Sequence, residues 1–241
     1  MIRVQEDFQG RVAEIEAYFE FIGSVDMRAT LLMQSDGKTA AYSATVQANL
    51  LRTLRASAFL LLYNVMESTV TNVVEAIFDE LQAKSLSFDD CSSKVRAIVL
   101  DNLKAMGTKN SLPILTSIAT DIVSKTFQKD EIVSGNVDAR EIRKLAKGYG
   151  FNHPKAPQIQ QHANKRGYSM MAPASGSLVG DALLTVKTHR NKLAHGSTSF
   201  ADVGRDFTQD DIVRIKCEVI AYLDAVLQNV ADYLSGQGYR R

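Results

Sequence analysis

Residues 58–66, AFLLLYNVM, are apolar on nearly every side of a helix, which is typical of a segment buried inside a protein. They lie in a stretch from about 42 to 83 that has no glycine or proline and keeps its apolar residues at helical spacing. Such a helix would be about 60 Å long, more than the diameter of a small domain. The sequence therefore predicts a long central helix that either curves or breaks once, near Ser57 or Ser68.

Amphipathic helical patterns recur on both sides of this central helix, with apolar residues three and four positions apart. Capping signals support several of them: Asp138 precedes Glu141 by three residues, as Thr208 precedes Asp211, and Gly196 suits the position after a helix end. The predicted helices cover 4–22 with a stop at Gly23, 92–106, 113–127, 138 to 148 or 150, a short one around 158–165, 177–195, and 208–234.

These elements predict an all-α fold, because no stretch alternates in the manner of a strand. The first, second and last helices and the helix over 177–195 would form an antiparallel bundle. Residues 1–241 would be a single domain, with 84–175 as an α-helical and loop insertion between the second core helix and the helix at 177–195. A turn is expected at 34–39, a loop between 196 and 208, and a frayed tail at 236–241.

Composition excludes several classes of protein. There are 28 Lys and Arg residues against 27 Asp and Glu, so the net charge of +1 argues against a uniformly basic nucleic-acid-coating protein. Cys91 and Cys217 are far apart and no Cys/His cluster occurs, which predicts two reduced thiols, no metal and no disulfide. Phosphate-loop, dinucleotide, hydrolase and zincin motifs are missing, and no cofactor is indicated. Without a signal peptide or a spanning segment, we expect a cytoplasmic protein without membrane contact.

The segment 189–196, HRNKLAHG, concentrates groups with catalytic chemistry. His195 is a proton donor and acceptor near neutral pH, and Arg190 carries a permanent charge on a fork that matches phosphate. Asn191 lies four residues before His195, so the two share a helix face and Asn191 could orient the imidazole or a phosphate. RNA cleavage through the ribose 2′-hydroxyl needs these parts and no metal. The alternative is an ordinary helix C-terminus, where His and Arg meet the dipole favourably.

The run RNKLAHG at 190–196 resembles the Arg-x4–6-His motif of the HEPN superfamily. Together with SGNVDAREIRKLAKGYGF at 134–151, RNKLAHGSTSF at 190–200 and LLLYNVMES at 60–68, it is similar to the MAE_28990/MAE_18760-like HEPN group. The resemblance implies a HEPN-type helical bundle, a homodimer and metal-independent endoribonuclease activity. It also implies a toxin or effector role in toxin–antitoxin or antiphage systems, beside an antitoxin or defence partner. Arg190 and His195 take the two catalytic positions and Asn191 the polar one.

One position departs from part of that family. Some HEPN toxins carry a tyrosine two residues after the histidine, which a nucleotidyltransferase antitoxin modifies, whereas this chain has Ser197. The resemblance therefore does not extend to neutralisation by that route.

Other residues have a functional and a plain structural interpretation. Glu67 interrupts an apolar helix face with Asn64 three residues before it, and the two could be polar neighbours of Arg190 or His195, or part of an ordinary ion pair. Lys187, His189 and Lys192 could contact RNA, or simply lie in the solvated surface. The same holds for a set of further cations: Arg140, Arg143, Lys144, Lys147, Arg205, Arg214 and Lys216.

Three functions follow from these observations. The first is a dimeric endoribonuclease with RNA as its substrate. The second is a non-catalytic HEPN module that binds a partner protein or a nucleotide. The third is a helical scaffold in which the motif is accidental.

Overall fold

The computed structural model describes residues 1–26, 44–105, 121–126, 136–169 and 179–241. These ranges contain no strand, so the predicted all-α fold is confirmed for them. The turn predicted at 34–39 and most of the helix predicted at 113–127 lie outside them. The helices are α1 (Ile2–Asp26), α2 (Ala44–Ala83), α3 (Ser93–Ala105), α4 (Ile122–Lys125), α5 (Ala139–Tyr149), α6 (Ala156–Lys165), α7 (Asp181–Ala194), α8 (Phe200–Arg205) and α9 (Gln209–Ser235), with a 3-10 turn at Phe88–Asp90.

The central helix α2 runs without a break for 40 residues. The two serines at which a break was considered donate hydrogen bonds to carbonyls of the same helix. Ser57 donates to Thr53 at 2.9 Å, and Ser68 donates to Val65 at 3.3 Å. These bonds stay within the helix and satisfy the hydroxyls locally. Of the two alternatives, the broken helix is therefore wrong.

Four long helices form an up-and-down bundle. Hydrogen bonds from Arg11 to Asn64 (2.7 Å) and from Asn72 to Asp7 (2.9 Å) set α1 antiparallel to α2. The Lys216–Glu16 ion pair and the approach of Gly23 to Gln209 set α1 antiparallel to α9. The start of α7 meets the middle of α9, so α7 and α9 are antiparallel too. The bundle thus consists of α1, α2, α7 and α9, which correspond to the four helices predicted for it.

The described residues of 84–175, the range predicted as an insertion, contribute to the same hydrophobic cluster as the four long helices. Val95 and Val99 of α3, Ile142 of α5 and Ile159 of α6 are all buried in it. Tyr233 of α9 donates a hydrogen bond of 2.8 Å to the carbonyl of Tyr149. The described part of this region is thus packed on the bundle, which gives α5 a fixed position beside α7.

Two boundaries differ from prediction. The helix expected to stop at Gly23 continues to Asp26, because Gly23 keeps an ordinary helical φ and lies against the start of α9. The loop expected between 196 and 208 contains α8, whose first turn is capped by Ser199. At Gly204 a Cβ would lie 1.8 Å from the backbone oxygen of Arg52, so only glycine permits this contact between α8 and α2.

The chain's last residues are ordered, so the frayed tail at 236–241 was a wrong prediction. Tyr239 is fully buried, and its carbonyl accepts a 2.7 Å hydrogen bond from the amide of Ser92. Arg240 forms an isolated antiparallel bridge with Cys91. The buried Tyr239 ring lies 6.2 Å from that of Tyr233 of α9, and its hydroxyl donates a 3.3 Å hydrogen bond to Glu80 of α2, so this side chain holds the tail against those two helices.

Candidate active site

The helix end that carries the motif has a fully satisfied backbone. After α7 ends at Ala194, Gly196 takes a φ of +65° and its amide donates to the carbonyl of Leu193 at 3.1 Å. The amide of Ser197 donates to the carbonyl of Lys192, also at 3.1 Å, which completes a Schellman motif. Glycine is required here because the left-handed conformation is costly for other residues. His195 is thereby fixed as the last residue before the reversal.

Arg190 lies just before the last turn of α7 and is half-buried. Its guanidinium carbon lies 4.4 Å from the centroid of the Tyr63 ring, a close cation–π contact between α7 and α2. Its Nη1 donates a 3.0 Å hydrogen bond to the amide oxygen of the adjacent Asn191. Within the described ranges, no carboxylate forms an ion pair with Arg190, so its positive charge stays unneutralised and can attract an anion.

His195 is exposed at the C-cap of α7, with its backbone amide bonded to the carbonyl of Asn191 at 3.0 Å. Its imidazole is therefore accessible to a substrate in solution. Asn191 lies in the last turn of the same helix, His195 caps it, and Arg190 directly precedes that turn. A partly buried cation and an accessible imidazole near one helix end are the groups that bind a phosphate and transfer a proton.

Tyr63 is the contact that sequence reasoning did not single out. Only 2% of this residue is exposed, and its hydroxyl accepts a 3.2 Å hydrogen bond from the backbone amide of Val137. Burial raises the pKa of the Tyr63 phenol, the Val137 bond and Arg190 oppose that rise, and Glu67 adds to it. The one available signal was its position in the apolar run of α2, which indicates burial but gives no partner.

The two α2 residues proposed as polar neighbours have different surroundings. Glu67 is half-buried one turn beyond Tyr63, and its charge acts on the Tyr63 phenol. Asn64 is exposed and accepts the 2.7 Å hydrogen bond from Arg11 of α1. The structure thus brings Glu67 to the Tyr63 side of the site, whereas Asn64 bonds to α1.

Lys187, proposed as an RNA contact, is bound within the protein. Its ammonium group forms a hydrogen-bonded ion pair with Asp138, whose side chain is only 5% exposed. Asp138 also caps α5 by accepting the amide of Glu141 at 2.9 Å. Burial raises the pKa of Asp138, but hydrogen bonds from Lys187 and Glu141 outweigh it and hold the pKa below its usual value. Lys187 therefore joins α7 to the start of α5.

His189 and Lys192 lie on either side of Arg190 in sequence but in different environments. The His189 ring is half-buried between Phe59, 5.0 Å away, and Phe207, 4.9 Å away. Burial, reinforced by the charge of Lys192, lowers the pKa of His189 and favours a neutral ring. Lys192 is exposed at the helix end. Lys192 is thus the accessible one of the two.

The other cations of the predicted basic surface also include both exposed residues and a buried, paired one. The basic residues of α5 form an exposed face, although Lys144 pairs with Glu141 at 2.9 Å. Lys216, which we expected on a basic surface, is instead 6% exposed and paired with Glu16. That expectation is wrong, because the apolar face of α9 turns this residue inward. The exposed cations of α5 are Arg140, Arg143, Lys144 and Lys147.

A groove of about 830 Å³ lies away from the motif, between α1, the C-terminal half of α2 and the end of α9. It is lined by none of the predicted site residues. Among the described residues, no three His, Cys, Asp or Glu side chains converge as a metal site would require. No helix within these ranges is long and apolar enough to cross a membrane.

A comparison with known proteins adds the family. The sequence profile of HEPN_MAE_28990/-like HEPN matches residues 3–239, nearly the whole chain and all of 84–175. The chain belongs to this HEPN family. No curated protein and no solved structure matches it significantly. In this HEPN chain, the Arg-x4-His spacing falls on Arg190 and His195 at the end of α7, where the geometry described above brings both to one helix terminus.

Proposed function

We propose that this HEPN protein is a metal-independent endoribonuclease. The observation that carries the proposal is the end of α7, where Arg190 lies on the Tyr63 ring without a carboxylate partner in the described ranges, and His195 is exposed at the cap. Family membership supports the same chemistry. RNA is the substrate class because DNA lacks the 2′-hydroxyl that the reaction uses.

The reaction uses the ribose as an internal nucleophile. An imidazole accepts the proton of the 2′-hydroxyl, the 2′-oxygen bonds to phosphorus, and the bond from phosphorus to the 5′-oxygen breaks. The 5′-oxygen takes a proton from a second acidic group, which leaves a 2′,3′-cyclic phosphate and a 5′-hydroxyl. Arg190 holds the phosphate oxygens as charge accumulates on them, and Asn191 orients the guanidinium.

The second acidic group is provided by a second copy of the chain. One imidazole at the end of α7 cannot both take and give a proton in a single step, so a two-fold homodimer would bring two His195 rings to one phosphate. The role of such a nuclease would be that of a toxin or effector in a toxin–antitoxin or antiphage system, with an antitoxin or defence partner. The role and the partner are supported by the family, and the dimer by the family and by the need for a second proton donor.

The experiment is cleavage of end-labelled tRNA and total RNA in EDTA by wild type, His195→Ala and His153→Ala. His153 is an exposed histidine in the connection between α5 and α6, so it controls for loss of any surface imidazole. We expect cyclic-phosphate products from wild type and His153→Ala only. Intact RNA with all three proteins at high concentration would overturn the nuclease and favour the non-catalytic module that binds a partner protein or nucleotide.

A further inference from the structure

We propose that Tyr63 is a positioning residue that sets the orientation of Arg190. The inference rests on the ribonuclease function proposed above and concerns the same site. It is carried by the contact of 4.4 Å between the Arg190 guanidinium carbon and the centroid of the Tyr63 ring, and by the hydrogen bond that the Tyr63 hydroxyl accepts from the amide of Val137.

The Tyr63 ring is itself held on two sides. It is buried in the middle of α2, and its hydroxyl accepts the 3.2 Å bond from the amide of Val137, just before α5. The next residue, Asp138, pairs with Lys187 on α7, three residues before Arg190. The ring and the helix that carries Arg190 are thus both tied to the start of α5. This arrangement leaves the ring little freedom to tilt.

A fixed ring restricts the guanidinium that lies on it. A guanidinium prefers to stack on an aromatic face, which leaves its N–H groups pointing outward around the edge of its plane. Arg190 has five such donors, and one of its nitrogens bonds to Asn191 at 3.0 Å. The remaining donors are directed by the ring and by Asn191 together. A phosphate in front of this edge would meet donors that need no rearrangement.

An aromatic ring does this without removing the charge. A glutamate or aspartate in the place of Tyr63 would hold Arg190 equally well, but would neutralise it and compete with phosphate. The ring attracts the guanidinium through its quadrupole, and because the ring is uncharged, the Arg190–Tyr63 pair keeps the single positive charge of Arg190. Tyr63 therefore gives Arg190 a defined direction and keeps it available to an anion.

The test distinguishes the effect of the Tyr63 ring on Arg190 from the effect of its hydroxyl and from a general loss of stability. Tyr63→Phe keeps the ring, Tyr63→Leu removes it, and Tyr63→Met replaces Leu if that variant does not fold. Tyr233→Leu is the matched control, because Tyr233 is also buried and bonds through its hydroxyl to the other end of α5, at the carbonyl of Tyr149. A role in packing alone would make the Tyr63 and Tyr233 variants alike.

The first measurement is kcat/KM for RNA cleavage in a double-mutant cycle with Arg190→Ala. We expect Tyr63→Leu to lower kcat/KM about tenfold, chiefly in kcat, in the presence of Arg190, and less than about twofold in Arg190→Ala protein. Tyr63→Phe should stay within about threefold of wild type, since the ring contributes more than the hydroxyl. Equal losses in both backgrounds, or a Phe variant as slow as the Leu variant, would overturn the proposal.

The second measurement does not depend on activity. In the folded protein, the Nε–Hε NMR resonance of Arg190, assigned by its loss in Arg190→Lys, should be shifted upfield by the ring below it. Tyr63→Phe and Tyr233→Leu should keep that shift and Tyr63→Leu should lose it. If wild type leaves RNA intact, the ribonuclease fails while this spectrum still decides the position of Arg190. An Arg190 signal that Tyr63→Leu does not move would overturn the inference.

Discussion

Lys216 and Arg190 are both cations that contact aromatic rings, but the groups that complete their surroundings differ. Lys216 of α9 lies 5.3 Å from the centroid of Phe19 and 5.2 Å from that of Tyr168, and its ammonium forms an ion pair with Glu16. Tyr168 donates a hydrogen bond to the other oxygen of the same carboxylate. Cation, anion and phenol together form a cluster with no net charge.

At Arg190 the ring is present, but none of the described residues supplies an anion to pair with the guanidinium. The guanidinium has the Tyr63 face below it and a neutral amide beside it, and within the described ranges no carboxylate pairs with it. The two clusters share their aromatic contacts, so the difference lies in the counter-ion. A neutralised cluster such as that of Lys216 contributes to the fold, whereas the unneutralised Arg190 is suited to bind an anion from outside.

The comparison is tested most strongly by removing Arg190. Arg190→Ala should lower the rate of RNA cleavage by about 100- to 1,000-fold, because the developing charge on the phosphate loses its cation. Its free energy of unfolding should change by less than about 1 kcal/mol, since no buried anion is left behind. Cleavage assays and urea unfolding check the two parts. If Arg190→Ala also lowered the free energy of unfolding by clearly more than about 1 kcal/mol, the difference between the two clusters would be contradicted.

Lys216→Ala should have the opposite effect, a loss of stability without a loss of cleavage activity. Removing this cation leaves Glu16 without its partner and should cost about 2–3 kcal/mol, below the usual 3–5 because the Glu16 side chain is 39% exposed. Cleavage per folded molecule should stay at the wild-type level. Arg214→Ala is the control, because its pair with Asp211 is largely exposed and should contribute less than about 0.5 kcal/mol. Urea denaturation measures both variants.

The ion pair between Asp138 and Lys187 predicts a dependence on pH. The pKa of Asp138 is lower in the folded chain, so its contribution is present above the unfolded pKa of about 3.9 and is lost as pH falls through the folded value. Asp138→Asn keeps a capping side chain but should cost about 2 kcal/mol at pH 7. Its Tm should approach that of wild type below about pH 4. A Tm difference that stays constant to pH 2 would contradict this assignment.

The smallest effect concerns the backbone that carries His195. Gly196→Ala forces an alanine to a φ of +65° and should cost about 1 kcal/mol. Gly10→Ala, in the middle of α1 with no atom near a new Cβ, should stabilise the protein by about 0.5–1 kcal/mol. Thermal unfolding of the two variants should therefore shift in opposite directions. A gain in stability from Gly196→Ala would mean that the helix end at His195 is not fixed by this turn.

Features set by neighbouring residues could be predicted from the sequence. The cap at Thr208 and Asp211 is confirmed, with both reciprocal hydrogen bonds formed, because a side chain three residues away decides it. The order of helices in the bundle followed from apolar spacing. The closeness of Arg190 to Asn191 is also local, and their roles in catalysis stay a prediction.

Contacts between distant segments were beyond such reasoning. Helix α8 has six residues, too few for a helical pattern, and it is held by the approach of Gly204 to α2. Tyr63 lies far from Arg190 in the chain, and nothing in either local sequence names the other. Lys187 is a surface-type residue whose partner, Asp138, is decided by where α5 packs.

The pairing of α1 with α9 sets when the four-helix bundle can assemble during synthesis. Glu16 is translated 200 residues before its partner Lys216, and Tyr222 of α9 also lies against Gly180 at the start of α7. A chain that has emerged only as far as His195 has the whole motif without the helix that backs it. Because domains are translated from the N-terminus at about 5–20 residues per second, Arg190 and His195 exist for about a second or more before α9 can hold their helix in place. The geometry of this helix end is therefore established only after α9 has been translated.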